Sequence, residues 1–439
     1  MLLPDTVRAL LTSLESAGFS AYAVGGCVRD TLLGRTPNDW DICTSALPGE
    51  IASVFAADRV VETGLKHGTL TVVRSHIPYE ITTYRIDGAY TDHRHPDSVS
   101  FVADVSEDLS RRDFTVNAMA CDVRGNVVDL FSGRDDLQAG LIRCVGDARL
   151  RFSEDALRIL RALRFASTYD FAVTPDTDAA IRQMYPDLKN VAAERIRAEL
   201  LKLICGPGAG CVLRAYPEVF CRIIPELAPM IGYDQHNHHH RFDLWEHTVR
   251  ALENVSPDET LRLTMLLHDT GKPATRTEDE DGECHYYGHP KLSAQIADGV
   301  CAALRCDRAL RDRVVRLVGY HDIPLSTERP LLLRRLNRLG EADLRALFLI
   351  HRADRIATGT RDPRHADEHM RELTQALDAL LAESPCYTLR TLDVNGHDLA
   401  SLGITGRAVG NTLEALLRAV MDGKVENEKA ALLQYVTKI

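Results

Sequence analysis

The chain has 439 residues, 45% hydrophobic and 26% charged, a length and composition suited to about two to four soluble domains. A net charge of −11 excludes a broadly basic nucleic-acid surface, so any phosphate-backbone contact falls to a local patch. No run of about 18 apolar residues is present, which excludes a membrane-spanning helix. Met1-Leu2-Leu3-Pro4-Asp5 carries no secretory signature, and eleven cysteines without CxxC spacing fit reduced thiols in a cytoplasm.

Residues 1–140 read as mixed α/β. Helical patterns fall at 5–17 and 28–34, and β-type runs at Ala21–Val24, 40–43, 69–73 and 80–84. The first run leads into Val24-Gly25-Gly26-Cys27-Val28-Arg29-Asp30, and Asp39-Trp40-Asp41 follows. Glycines let backbone approach a phosphate closely, and the helix they open offers N–H donors. On a strand, Asp39 and Asp41 share one face, with Trp40 on the other. Two adjacent carboxylates repel unless a cation lies between them. Alone, a glycine pair is a turn and DxD a solvated surface pair. Their ordered combination points to a Mg²⁺–nucleoside triphosphate site.

A polar loop covers 86–100 and contains Arg94-His95-Pro96. Long polar loops in compact domains are functional or disordered. Arg111-Arg112-Asp113-Phe114-Thr115-Val116-Asn117-Ala118 then places two arginines before a helical run, and guanidinium groups fork onto phosphate oxygens. From about 150 the strand signals stop. Ser153 is the expected N-cap of a helix holding Glu154-Asp155-Ala156-Leu157-Arg158-Ile159-Leu160-Arg161-Ala162-Leu163-Arg164. Asp155 and Arg158 stand at i,i+3 on one face, continued by Arg161 and Arg164. A salt-bridged surface helix would look the same. Beside a nucleotide, however, Asp155 only accepts and Arg158 only donates. Cytosine and adenine each present an amino donor beside a ring-nitrogen acceptor; uracil and guanine present the reverse and would leave buried groups unpaired. The pair therefore suits selection of C and A without a template. Glu194-Arg195-Ile196-Arg197-Ala198-Glu199-Leu200 reads as a helix buttressing this face. The segment 143–202 is the candidate RNA patch, with eleven Lys and Arg against nine acids.

GGCVRD, DWD, the loop with Arg94-His95-Pro96, RRDFTVNAMA and EDALRILRALRF occur in that order over roughly the first 200 residues. In this the sequence resembles class II CCA-adding enzymes, tRNA nucleotidyltransferases of the polymerase-β-like superfamily that also holds bacterial poly(A) polymerases. The resemblance implies an α+β nucleotidyltransferase head with a small mixed sheet, followed by all-α neck, HD and tail regions. It implies that Asp39 and Asp41 hold Mg²⁺ and that Gly25, Gly26, Arg29 and Arg112 meet the triphosphate. Asp155 and Arg158 would read the base, with Arg161 and Arg164 nearby and Glu80 as a further carboxylate. The implied reaction adds C, C and A to the tRNA 3′ end from CTP and ATP. A loop at 86–100 favours full CCA addition over a CC-adding or A-adding specialist, and the acidic chain argues against a general poly(A) polymerase.

Further on, His247, His268-Asp269 and Asp354 fit the H…HD…D pattern of HD-domain phosphohydrolases, with Asp269-Thr270-Gly271-Lys272-Pro273 extending the match. Histidines and carboxylates on packed helices suit a divalent metal that activates water. His289 and His321 would complete a second metal position or bind phosphate. His236-Asn237-His238-His239-His240 reads as a loop near that site. An HD fold can also persist as an inactive RNA-binding body. From a different class, the protein could be a metal phosphohydrolase whose front half only binds RNA; the intact Asp39/Asp41 pair speaks against that. The expected division is a head at 1–140, a neck at 141–232, an HD domain at 233–383 and a helical tail at 384–439, whose glycine-rich turns at 396–410 are connectors or phosphate contacts.

Overall fold

Val7, Leu10, Leu11 and Leu14 recur at helical spacing, and all four are buried along α1 (Asp5–Ser16). The chain then enters β1 (Ala21–Val24), an interior strand of a seven-stranded mixed sheet. Its partners are β2 (Ile42–Thr44), β3 (Arg59–Gly64), β4 (Thr69–Arg74), β5 (Ile77–Thr83), β6 (Met119–Cys121) and β7 (Val127–Asp129), in the spatial order β3-β4-β5-β2-β1-β6-β7. β1 runs antiparallel to both neighbours, with Ala23 opposite Ile42 and Val24 opposite Ala120. The β2–β5 pairing is parallel. The computed structural model describes residues 1–88, 99–360 and 362–437.

Helix α2 (Gly26–Leu32) leaves the end of β1, and α3 (Val105–Ser110) carries the acid that organises the arginines described below. Beyond residue 140, α4 (Ala148–Glu154), α5 (Leu157–Tyr169) and α6 (Ala193–Ile204) take over, with α5 packed on α6. The single helix expected from Ser153 is two helices. Asp155 breaks it in extended conformation, φ −149° and ψ 103°. Two short strand pairs also occur where only helix was expected: Leu141–Ile142 beside Ala172–Val173, and Thr277–Glu278 beside Cys284–His285. Two-residue strands carry no periodicity that a sequence pattern can register.

The chain divides into two compact units, Met1–Pro225 and Glu226–Ile439. The second is built from helices, among them α7 (Leu244–Glu253), α8 (Glu259–Leu267), α9 (His289–Ala303), α10 (Arg308–Tyr320) and α11 (Glu341–Ala357). Aspartates at N-cap positions start three of them: Asp243, Asp258 and Asp307 each accept a backbone N–H from the first turn. α7 packs on α11, and α8 and α9 on α10. Among the described residues no helix is long and apolar enough to cross a membrane. The cysteines are free thiols.

Candidate active site and metal centre

The glycine pair sits where β1 gives way to α2. Gly25 has φ +80°, a conformation that L side chains rarely adopt, and a Cβ there would stand 2.8 Å from an Arg112 guanidinium nitrogen. A Cβ on Gly26 would meet Arg29 at an ordinary 3.5 Å, so the steric demand rests on Gly25. Asp39 and Asp41 lie just ahead of β2 rather than on the strand expected at 40–43. The Asp41 carbonyl still accepts the Val24 N–H at 2.9 Å, which fixes the carboxylate pair beside the glycine turn. Asp39 is exposed and Asp41 half-buried. Burial, then the charges of Asp39 and Glu80, push the Asp41 carboxyl up to about 6, and Arg112 opposes them. Hard oxygen donors held together against their own repulsion are the donor set a Mg²⁺ ion takes. The influence of Glu80 on Asp41 is a physical reason to keep it in the site.

A buried acid on α3 organises the arginines. Asp108 binds Arg111 at 2.6 Å and Arg112 at 3.2 Å. The buried Arg112 Nε has no hydrogen-bond partner among the described residues, which leaves a donor available for an anion. Arg29 sits differently from the expectation. Its buried guanidinium bonds Asn117 and Asp30 and lies over the rings of Phe165 (5.0 Å) and Tyr169 (4.8 Å), so it ties α2 to α5. The loop 86–100 falls largely outside the described residues, Arg94, His95 and Pro96 included.

The Asp155/Arg158 arrangement also corrects the expectation of a paired face. Asp155 caps the start of α5, accepting the Leu157 N–H at 3.1 Å, and is clamped by Arg195 at 2.7 and 3.2 Å. Arg158 bonds Glu154 and the Arg151 carbonyl, and its Nη2 lies 3.5 Å from the Arg111 carbonyl. Arg161 reaches Asp113 at 2.6 Å, and Arg164 reaches Glu199. Burial would raise the Asp113 carboxyl, but Arg161 and Asn117 outweigh it and hold it at about 2. The Arg195/Glu199 segment does buttress this face. Asp108, Asp113 and Asn117 escaped the sequence reading, because an acid beside two arginines in sequence looks like a surface charge cluster.

In the second unit, α7 supplies His247, the end of α8 supplies His268 and the following Asp269, and α11 supplies Asp354. Their ligand atoms lie within 4.8 Å of one another. His247 Nε2 is 3.0 Å from Asp354 and 3.3 Å from Asp269; His268 Nε2 is 3.2 Å from Asp269. On the other side of the same carboxylate, Asp269 Oδ1 is 3.2 Å from His289 and 3.5 Å from His321. The Nδ1 atoms of His268, His289 and His321 sit 2.7–2.8 Å from the carbonyls of Met265, Tyr286 and Val318. Each Nδ1–H therefore donates outward and turns Nε2 toward Asp269, the nitrogen a metal would take once it is deprotonated. Asp269 Oδ2 has Lys272 at 2.7 Å, yet no donor is aligned for a hydrogen bond to it. Burial opposes charging of His268, but Asp269 outweighs it and lifts that imidazole to about 10. A borderline divalent cation would replace that imidazole's proton, held by deprotonated imidazoles and by the carboxylates of Asp269 and Asp354. A cavity of about 320 Å³ opens onto the cluster, lined by Asn237, His240, Lys272, Tyr287 and Asp322.

A carboxylate pair beside a glycine turn on a mixed sheet, next to a rack of arginines, defines a nucleotidyltransferase head. Residues 21–143 match the family model of the poly A polymerase head domain, and 170–216 match that of the polymerase A RNA- and SrmB-binding site. Residues 291–436 match the model of tRNA nucleotidyltransferase domain 2. The CCA-adding enzyme of Levilactobacillus brevis is 36% identical over 438 residues, 99% of this chain and 97% of that one. The chain belongs to the CCA-adding enzyme family. Against the Leuconostoc mesenteroides enzyme identity rises to 51% over 202 residues, covering 46% of this chain and half of that relative. The crystal structure of the Bacillus stearothermophilus CCA-adding enzyme in complex with CTP superposes with a TM-score of 0.74 at 30% identity, covering 100% of this chain and 98% of that one. Nucleotidyltransferases of this family use divalent metals.

Proposed function

We propose that the first unit adds C, C and A stepwise to the 3′ end of tRNA, using CTP and ATP without a template. The observation that carries this is the junction of the two halves of the site. The base-reading residue Arg158 meets the Arg111 carbonyl, and Arg111 and Arg112 share Asp108 beside the Asp41 carboxylate. A nucleotide with its phosphates at Arg112 and the Gly25-Gly26 turn would thus present its base toward Asp155 and Arg158. Asp39 and Asp41 would hold Mg²⁺, which when bound lowers the pKa of the attacking hydroxyl and stabilises charge on the leaving group. The RNA 3′-hydroxyl then attacks the α-phosphate in line and pyrophosphate leaves. The Bacillus stearothermophilus relative bound to CTP supports this reading, as does the family's name, and a tRNA substrate fits a cytoplasmic enzyme. Within this scheme 1–140 is the catalytic head and 141–232 the selecting neck.

The test presents tRNA lacking CCA, tRNA ending in C and tRNA ending in CC with CTP, ATP or both, followed by sequencing of the 3′ ends. Completion of CCA on all three is expected, and Asp39→Ala should abolish incorporation while tRNA binding persists. Addition of C alone or A alone would select a specialist; no extension with Mg²⁺ present would overturn the proposal.

A second reading concerns 233–383, with 384–439 as a tail suited to tRNA contact. The convergence of His247, His268, Asp269 and Asp354, with His289 and His321 on the other face of Asp269, supports an HD-type metal centre with phosphohydrolase activity. A metal held there would supply an activated water at neutral pH. Lys272 and the cavity beside it would receive the phosphate.

A further inference from the structure

His247 and His268 are fully buried and Asp269 nearly so, and the cavity beside them is the side from which a cation reaches the cluster. In the same unit, His238, His239 and Glu283 place their ligand atoms within 4.8 Å of one another. The His238 side chain is 67% exposed. Glu283 is far in sequence from the adjacent His238 and His239, and the fold braces them together. The His236 carbonyl accepts the Cys284 N–H at 3.0 Å, and the Asn237 side chain donates to the Cys284 carbonyl at 3.0 Å. Asn237 Oδ1 accepts the His239 N–H at 2.8 Å, and the Thr360 hydroxyl donates to the His239 carbonyl at 3.0 Å. His236 is held at φ +42°, an uncommon conformation for a residue other than glycine. A loop fixed this firmly, with two adjacent imidazoles facing a glutamate, is a built arrangement.

Two histidines and one carboxylate on one side of a cation form a facial triad with open positions. Next in the chain stands His240. Its buried Nδ1 has no hydrogen-bond partner among the described residues, its ring lies edge-on to His247 at 4.9 Å, and it lines the cavity with Asp269 and Asp354. Imidazoles thus run from the surface triad through His240 to the first ligand of the buried centre. We propose that His238, His239 and Glu283 form a surface capture site for an imidazole-preferring divalent cation and that His240 hands the ion to the buried centre. This rests on the metal-centre reading above. Two exposed imidazoles and a half-buried carboxylate bind less tightly than the enclosed set, as a transfer site requires.

The experiment uses the full chain freed of metal and Co²⁺ as the probe, comparing wild type with the His238→Ala/His239→Ala double variant and with Glu283→Gln. Equilibrium dialysis should count one fewer Co²⁺ in the double variant. Stopped-flow absorbance at limiting Co²⁺ should show the visible band of the buried centre growing at least tenfold more slowly in both variants, with an unchanged final amplitude. Equal counts and equal rates would overturn the proposal. A wild type that binds the surface equivalent but develops no buried band would keep the capture site and overturn both the hand-over and the metal-centre reading.

Discussion

Gly25 and Asp41 each carry a constraint that a single substitution exposes. Gly25 needs φ +80° and the space that Arg112 occupies at 2.8 Å. Gly25→Ala should therefore cost about 1–3 kcal/mol in a urea titration through backbone strain. It should also raise the KM for CTP by displacing Arg112, whereas Gly26→Ala should leave stability nearly unchanged. Equal losses of stability in the two substitutions would refute this division. Asp41 tests the carboxylate pair through pH. Its folded value near 6 stands above the ordinary 3.8. The protonated form is thus favoured by folding. The resulting stability is fully present below about 3.8 and lost as pH rises through 6. Asp41→Asn should raise the thermal midpoint of the metal-free protein at pH 7.5, with the gain shrinking as the pH falls below 6. Mg²⁺ should stabilise the wild type and not the variant. An unchanged midpoint at pH 7.5 would contradict the repulsion that motivates the metal site.

At the scale of elements, the start of α5 decides how the arginine row is used. Residues three apart on a helix fall about 60° short of a full turn, so Arg158, Arg161 and Arg164 fan around the axis instead of forming one stripe. Each consequently meets its own acid: Glu154, Asp113 and Glu199. Asp155 leaves the helix because a short acceptor serves better as a cap than in a helix interior. Its carboxylate is then oriented from α6 by Arg195. Arg195→Ala should loosen that orientation and lower the preference for CTP over UTP by about tenfold, equivalent to about 1.4 kcal/mol. The kcat/KM ratio of the two nucleotides reads this directly. A preference left intact would make Arg195 a stabilising contact alone. The arginine spacing was plain in the sequence; the identity of each partner was not, since Asp113 and Glu199 reach it only through folding.

For the whole molecule, the separate chemistry proposed for the two units would make their losses separable. His268→Ala should remove divalent-metal-dependent hydrolysis of p-nitrophenyl phosphate by the full chain while CTP and ATP incorporation continues. Hydrolysis unchanged in that variant would place it outside the histidine cluster. By itself the sequence determined the fold class of the head, the glycine turn with its carboxylate pair, and the histidine and aspartate types that meet in the second unit. Local spacing and residue chemistry encode each of these. Only the tertiary structure decided that Arg29 is buried against Phe165 and Tyr169 and that Asp155 answers to Arg195 instead of Arg158. It alone brought His289 and His321 to the far side of Asp269. Such pairings join residues tens of positions apart, and they depend on which helix faces pack together. No period in the sequence records that.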